Sequence, residues 1–167
     1  RDYKVTGVQT CALPISLFEE QIEAEQMAAF RHIDSHVDMD AEARSFLPHS
    51  EAFSLGPEPY LERIRKTKKA LNVPVIASLN GVTPGGWTEL AGQIAAAGAD
   101  AIELNLYDVA TRFEESSADV EERQLGVVQG VLAHVSLPVC IKLSPFYTSL
   151  PSFARRLERL GVQGLAL

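Results

Sequence analysis

The chain has 167 residues, 46% of them hydrophobic and 22% charged, and carries a formal net charge of −7. This is ordinary composition for one folded domain with a sizeable core, and the acidic balance argues against a general nucleic-acid binder. No apolar run approaches the ~18 residues of a membrane-spanning helix, and two distant cysteines, Cys11 and Cys140, make no disulfide framework, so a reducing cytoplasm is the expected compartment.

In chain order, residues 1–15 do not behave like the rest. The stretch from Val5 to Ile15 resembles an in-frame translation of a sequencing-library adapter. It lacks the apolar core of roughly 7–15 residues that a secretory signal needs. We expect a non-native or disordered leader over 1–15 and a folded unit over 16–167.

Over residues 17–31, Leu17, Phe18, Ile22, Met27 and Phe30 recur at roughly helical spacing behind Ser16 and Glu19, a capping-box pair. That pattern predicts a helix. His32 and His36 lie four apart with Asp34, Asp38 and Asp40 nearby, but no third ligand is obvious, and a solvated polar face is the better reading than a metal site. Gly56-Pro57-Glu58-Pro59 opens another helix, with Tyr60, Leu61, Ile64 and Leu71 as its buried stripe. Its basic residues Arg63, Arg65, Lys66, Lys68 and Lys69 read as a solvated outer face rather than a nucleic-acid patch.

Three strands follow, with helices between them. In residues 74–80, Val75, Ala77 and Leu79 share one face, and Ile76, Ser78 and Asn80 the other. In residues 101–106, Ile102, Leu104 and Leu106 oppose Ala101, Glu103 and Asn105. In residues 138–144, Val139, Ile141 and Leu143 oppose Cys140, Lys142 and Ser144. Each strand is thus greasy on one face and ends in a polar residue on the other: Asn80, Asn105 and Lys142. The glycine-rich stretch 81–87 reads as a loop that continues into a helix at Trp87, without the GxGxxG or Walker spacing of a phosphate loop. A long polar loop from Tyr107 precedes a helix over 119–135, and a helix over 150–160 ends at Gly161, before a fourth strand from Gly164. Regular strand–helix alternation predicts a parallel α/β fold. Polar residues at the strand C-terminal ends favour a (β/α)8 barrel, which typically needs ~250 residues, so this chain is expected to be an internal fragment of about half a barrel.

Ser78-Leu79-Asn80-Gly81, Ile102-Glu103-Leu104-Asn105-Leu106 and Ile141-Lys142-Leu143-Ser144-Pro145, in this order with helices between, resemble the dihydroorotate dehydrogenase family. Ser16 to Gln21 and the run from Leu79 to Trp87 point to its dihydroorotate dehydrogenase-like branch. The resemblance implies an FMN-dependent barrel of pyrimidine biosynthesis that oxidises dihydroorotate or a related small molecule. It implies Lys142 and Asn105 at the flavin ring, Asn105 also reaching substrate, with Asn80 and Ser78 where the preceding strand meets the flavin. The family's base is a cysteine or serine in the loop after the central strand. Here that loop holds Tyr107-Asp108-Val109-Ala110, which makes Asp108 or Tyr107 the expected proton acceptor. Two other readings stay open: a non-flavin phosphate-binding barrel using Lys142 as a Schiff-base amine, and a non-catalytic barrel subunit. Lys142 paired with Glu103 is the bland account of that lysine. A homo-oligomer or an electron-transfer partner is compatible with these features.

Overall fold

The structure is a computed structural model, and it describes Leu17, Phe18, Met27 and residues 56–80, 84–107 and 110–167. Strands β1 (Leu17–Phe18), β2 (Ile76–Asn80), β3 (Ala101–Leu106), β4 (Val139–Leu143) and β5 (Gly164–Ala166) form one sheet in chain order, and every neighbouring pair is parallel. Helix α1 (Glu58–Ala70) precedes β2, while α2 (Pro84–Ala96), α3 (Ser117–His134) and α4 (Leu150–Leu160) connect the successive strands. A doubly wound sheet reverses its strand order at a switch point. This sheet does not. Sequential parallel order with a helix at each crossover is the wall of a (β/α)8 barrel, and the chain forms part of one.

The alternation along each strand explains the layers. Val75, Ala77, Leu79, Ile102, Leu104, Val139 and Ile141 have no exposed surface. They face Ile64 of α1, Ile94 of α2, Val128 and Val131 of α3, and Phe153 and Leu157 of α4, which are equally covered. Each such Leu, Ile, Val or Phe contributes roughly 1.5–3 kcal/mol over an exposed one. The core therefore lies between the sheet and the helices, and the opposite face carries Ser78, Glu103, Asn105 and Lys142 among Ile76, Ala101 and Cys140.

Local chemistry sets the helix ends. Ser116 accepts from the Asp119 N–H, and the Asp119 carboxylate accepts from the Ser116 N–H at 2.9 Å, a capping box that also holds the Asp119 carboxyl below its usual range. Helix α4 stops at Gly161, whose φ of 98° is the left-handed conformation that glycine adopts without strain. At the strand N-terminal ends, Asp100 accepts from Lys68 Nζ at 2.5 Å and from the Val75 N–H at 2.7 Å, while its own N–H donates to the Val75 carbonyl at 2.8 Å. This clasp joins α1 and the starts of β2 and β3. It lies at the end of the sheet away from Asn80, Asn105 and Lys142.

Several expectations change. Leu17 and Phe18 are not helical: they pair with Leu79 and Asn80, adding a fifth strand to the expected four. The edge of β2 offers a backbone ladder, and at Leu17 and Phe18 that non-local partner overrides the helical spacing of the apolar residues. Met27 is helical but half-exposed. The remaining residues from Glu19 to Leu55, including His32, His36, Asp34, Asp38 and Asp40, lie outside the described residues, as do residues 1–16. The glycine-rich stretch is not all loop, because Pro84, Gly85 and Gly86 already form the first turn of α2. Proline's fixed φ suits that position, and Thr88 Oγ1 donates back to the Gly85 carbonyl at 2.9 Å. Leu71 leaves the buried stripe of α1 because it is the C-cap, in extended backbone, and stands exposed. The basic residues behave as a solvated face: Arg63, Lys66 and Lys69 are exposed, and Arg65 pairs with Glu58 and Glu62.

Candidate functional site at the strand C-terminal ends

Register brings the inward residues into rows. Ser78 pairs with Glu103, Glu103 with Cys140, and Cys140 with Gly164, which makes one row across four strands. One step toward the strand ends, Asn105 pairs with Lys142, and Lys142 with Ala166. Leu79 pairs with Leu104, so the residues that follow them, Asn80 and Asn105, stand side by side near the ends of the two strands. Asn80, Asn105 and Lys142 are 25 or more residues apart in the chain and meet at one end of the sheet. Ser78 lies one row below them. These are the four residues expected to hold a cofactor.

The electrostatics of the two rows differ. In the lower row, Ser78 Oγ donates to Glu103 Oε1 at 3.2 Å, and the Ser78 carbonyl accepts from the Tyr60 hydroxyl at 3.0 Å. Burial pushes the Tyr60 phenol up to about 12. It also pushes the Cys140 thiol up, with the Glu103 charge adding to the effect. Glycine at 164 permits the close approach of β5, since a Cβ there would stand 3.3 Å from Cys140 Sγ. The expected Lys142–Glu103 pair is not formed: among the described residues Glu103 takes its hydrogen bond from Ser78, and Lys142 has no ion-pair partner.

The upper row holds groups with unused capacity. Lys142 is exposed on the inward face, while its neighbours Ile141 and Leu143 are buried on the other. Asn105 Oδ1 is buried and has no hydrogen-bond partner among the described residues. A buried acceptor left unpaired costs roughly 1–3 kcal/mol, so such an atom calls for an explanation. Tyr107 follows directly after β3 and is 53% exposed. Asp108, the other expected proton acceptor, lies outside the described residues. Chain features alone did not mark Glu103 as the partner of Ser78. That pairing joins residues on neighbouring strands and follows only from register.

An ammonium and an amide both lie inward at the C-terminal ends of adjacent parallel strands, the end at which barrel enzymes carry their working face. Comparison with known proteins agrees at that level. No family model matches the chain. A protein of Aeropyrum pernix named as dihydroorotate dehydrogenase A (fumarate) is 31% identical over 107 residues, 62% of this chain and 34% of that protein. The dihydroorotate dehydrogenase B (NAD(+)) catalytic subunit of Endomicrobium trichonymphae is 29% identical over 115 residues, 68% of this chain and 37% of that protein. The chain thus spans about a third of the length of the curated relatives it matches. Among solved structures, a dihydrodipicolinate synthase from Agrobacterium tumefaciens superposes with a TM-score of 0.53 at 19% identity, over 93% of this chain and 52% of that one. A dihydrodipicolinate synthase family protein from Coccidioides immitis gives 0.54 at 18% identity, over 94% and 51%. At that identity the likeness concerns the fold. These relatives and neighbours are barrel enzymes, and no helix among the described residues is long and apolar enough to cross a membrane.

Proposed function

We propose that this chain is part of an FMN-dependent oxidoreductase similar to the dihydroorotate dehydrogenases, acting on a CH–CH bond of dihydroorotate or a related small molecule in the cytoplasm. The observation that carries the reading is the upper row: among the described residues, Lys142 has no ion-pair partner and stands beside an Asn105 whose buried Oδ1 has no hydrogen-bond partner. That donor set suits the pyrimidine edge of a flavin, which presents carbonyl acceptors and an N–H donor. The two relatives named as dihydroorotate dehydrogenases support the same assignment.

FMN, when bound, supplies a hydride acceptor whose reduced form is negative on its pyrimidine side. Lys142 fixes a positive charge there on a rigid strand, so no reorganisation is needed when charge develops. Asn105 can donate through Nδ2 and accept through Oδ1 at once, which lets one side chain orient two groups. Asn80 and Ser78 flank that point on the preceding strand. Asp108 or Tyr107, in the loop after β3, takes the proton from the substrate carbon.

The test is flavin binding by the protein that carries this chain. Lys142→Ala should weaken FMN binding or slow flavin reduction about tenfold, because one charge-assisted contact is worth ~1.5–3 kcal/mol. Occupancy and reduction rate both unchanged would remove Lys142 from the site. A colourless protein that takes up no FMN would overturn the reading itself. Lys142, exposed and without an ion-pair partner among the described residues, also supports a second reading, a Schiff-base lysine. Borohydride trapping of a carbonyl substrate on Lys142 in a flavin-free protein would select it.

A further inference from the structure

The aromatic side chains of the described residues fall into two groups. Tyr60, Trp87 and Phe153 are buried, and Tyr147 packs against the core. Tyr107, Phe113 and Phe146 stand in water, at 53%, 102% and 85% exposure. All three exposed rings sit on the two loops that follow β3 and β4. Those strands carry Asn105 and Lys142, and the loops leave them at the same end of the sheet.

The exposure of Phe146 does not come from a slack loop. Ser144, buried at the end of β4, accepts from the Phe146 N–H at 3.4 Å, and Pro145 between them has a fixed φ. On the other side, the Tyr147 ring stacks on Phe153 with centroids 4.6 Å apart, and its hydroxyl donates to Gln124 Oε1 at 2.9 Å. The backbone on both sides of Phe146 is therefore anchored while its ring is 85% exposed among the described residues. Holding a phenyl ring in water on a fixed support forgoes the free energy of burying it. A bound planar ring lying across the strand ends would recover that free energy through stacking and apolar contact.

We infer that Phe146, with Tyr107 on the neighbouring loop, is a specificity-determining rim over the planar substrate heterocycle that Asn105 reaches beside the flavin. This rests on the flavin oxidoreductase reading above. Phe146 shapes which ligand stays bound and takes no part in proton or hydride movement.

The experiment is equilibrium titration of the FMN-loaded protein carrying this chain with orotate, read by perturbation of the flavin absorption spectrum. Phe146→Ala should weaken orotate binding about tenfold, and Phe146→Trp should restore it. The melting temperature should stay near that of the parent, because the ring has few contacts to lose. In turnover, KM should rise with little change in kcat. An unchanged orotate dissociation constant in Phe146→Ala, with FMN bound, overturns the rim and leaves the flavin reading intact. Unchanged orotate affinity with altered sedimentation would reassign the surface to protein contact, and equally overturns it. Failure of the parent protein to take up FMN overturns both.

Discussion

Proton transfer is the residue-scale question, because the loop after β3 carries two candidates of different chemistry. Asp108 offers a carboxylate whose environment sets its basicity, and Tyr107 offers a phenol that stands half in water. With Asp108 as the acceptor, Asp108→Asn should depress flavin reduction by substrate by roughly 10²-fold or more while FMN stays bound, since only the titratable oxygen is lost. Tyr107→Phe should then leave reduction nearly unchanged. The reverse outcome, measured by stopped-flow reduction of both variants, assigns the role to the phenol. If both variants reduce at the parent rate, the loop has no acid–base role and the non-catalytic reading gains. Glu103 shows why a residue's type alone is a poor guide. It is an inward carboxylate one register step from a lysine, yet its hydrogen bond comes from Ser78 Oγ at 3.2 Å, and among the described residues Lys142 has no ion-pair partner.

At the scale of elements, the join between α1 and β2 has a titratable group at its centre. Tyr60 on α1 is buried and donates to the Ser78 carbonyl of β2 at 3.0 Å, directly behind the lower row of the site. Burial raises its phenol from 10.0 to about 12, so the folded state resists deprotonation where the unfolded chain does not. The stability this contributes is complete below pH 10 and is lost as pH rises from about 10 toward 12, by as much as ~2 kcal/mol. Tyr60→Phe should cost about 1 kcal/mol at neutral pH through the lost hydrogen bond, and should flatten that alkaline limb. Chemical denaturation at pH 7, 10 and 11.5 checks both. An alkaline limb unchanged in the variant would show that other groups carry it.

For the whole molecule, the sheet is the governing object. Its described strands run from β1 to β5 without closing, and Leu165 on the last of them is exposed. Unpaired strand edges seek partners, and a barrel wall lacking its opposite side leaves the inward face wet. Expressed as these 167 residues, the chain should self-associate and bind FMN far more weakly than a protein with a closed barrel. Sedimentation velocity and visible absorption test this together. A monomeric, yellow species would contradict it.

Much of this was written locally. The period-2 alternation in residues 74–80, 101–106 and 138–144 determined which side chains turn to the helices, and Val75, Leu79, Ile102, Leu104 and Ile141 are buried accordingly. Gly161 marked the end of α4, and the strand–helix rhythm determined a parallel barrel wall. Local pattern suffices there because each signal concerns a residue and its near neighbours. Tertiary structure decided the rest. Leu17 and Phe18 became a strand because the edge of β2 was free to pair, which no window around them reveals. Glu103 met Ser78 rather than Lys142 because register, a relation between strands 25 residues apart, sets who stands opposite whom. For the same reason Asn105 Oδ1 came to be buried without a partner among the described residues, a fact about surrounding atoms that the chain's order does not contain.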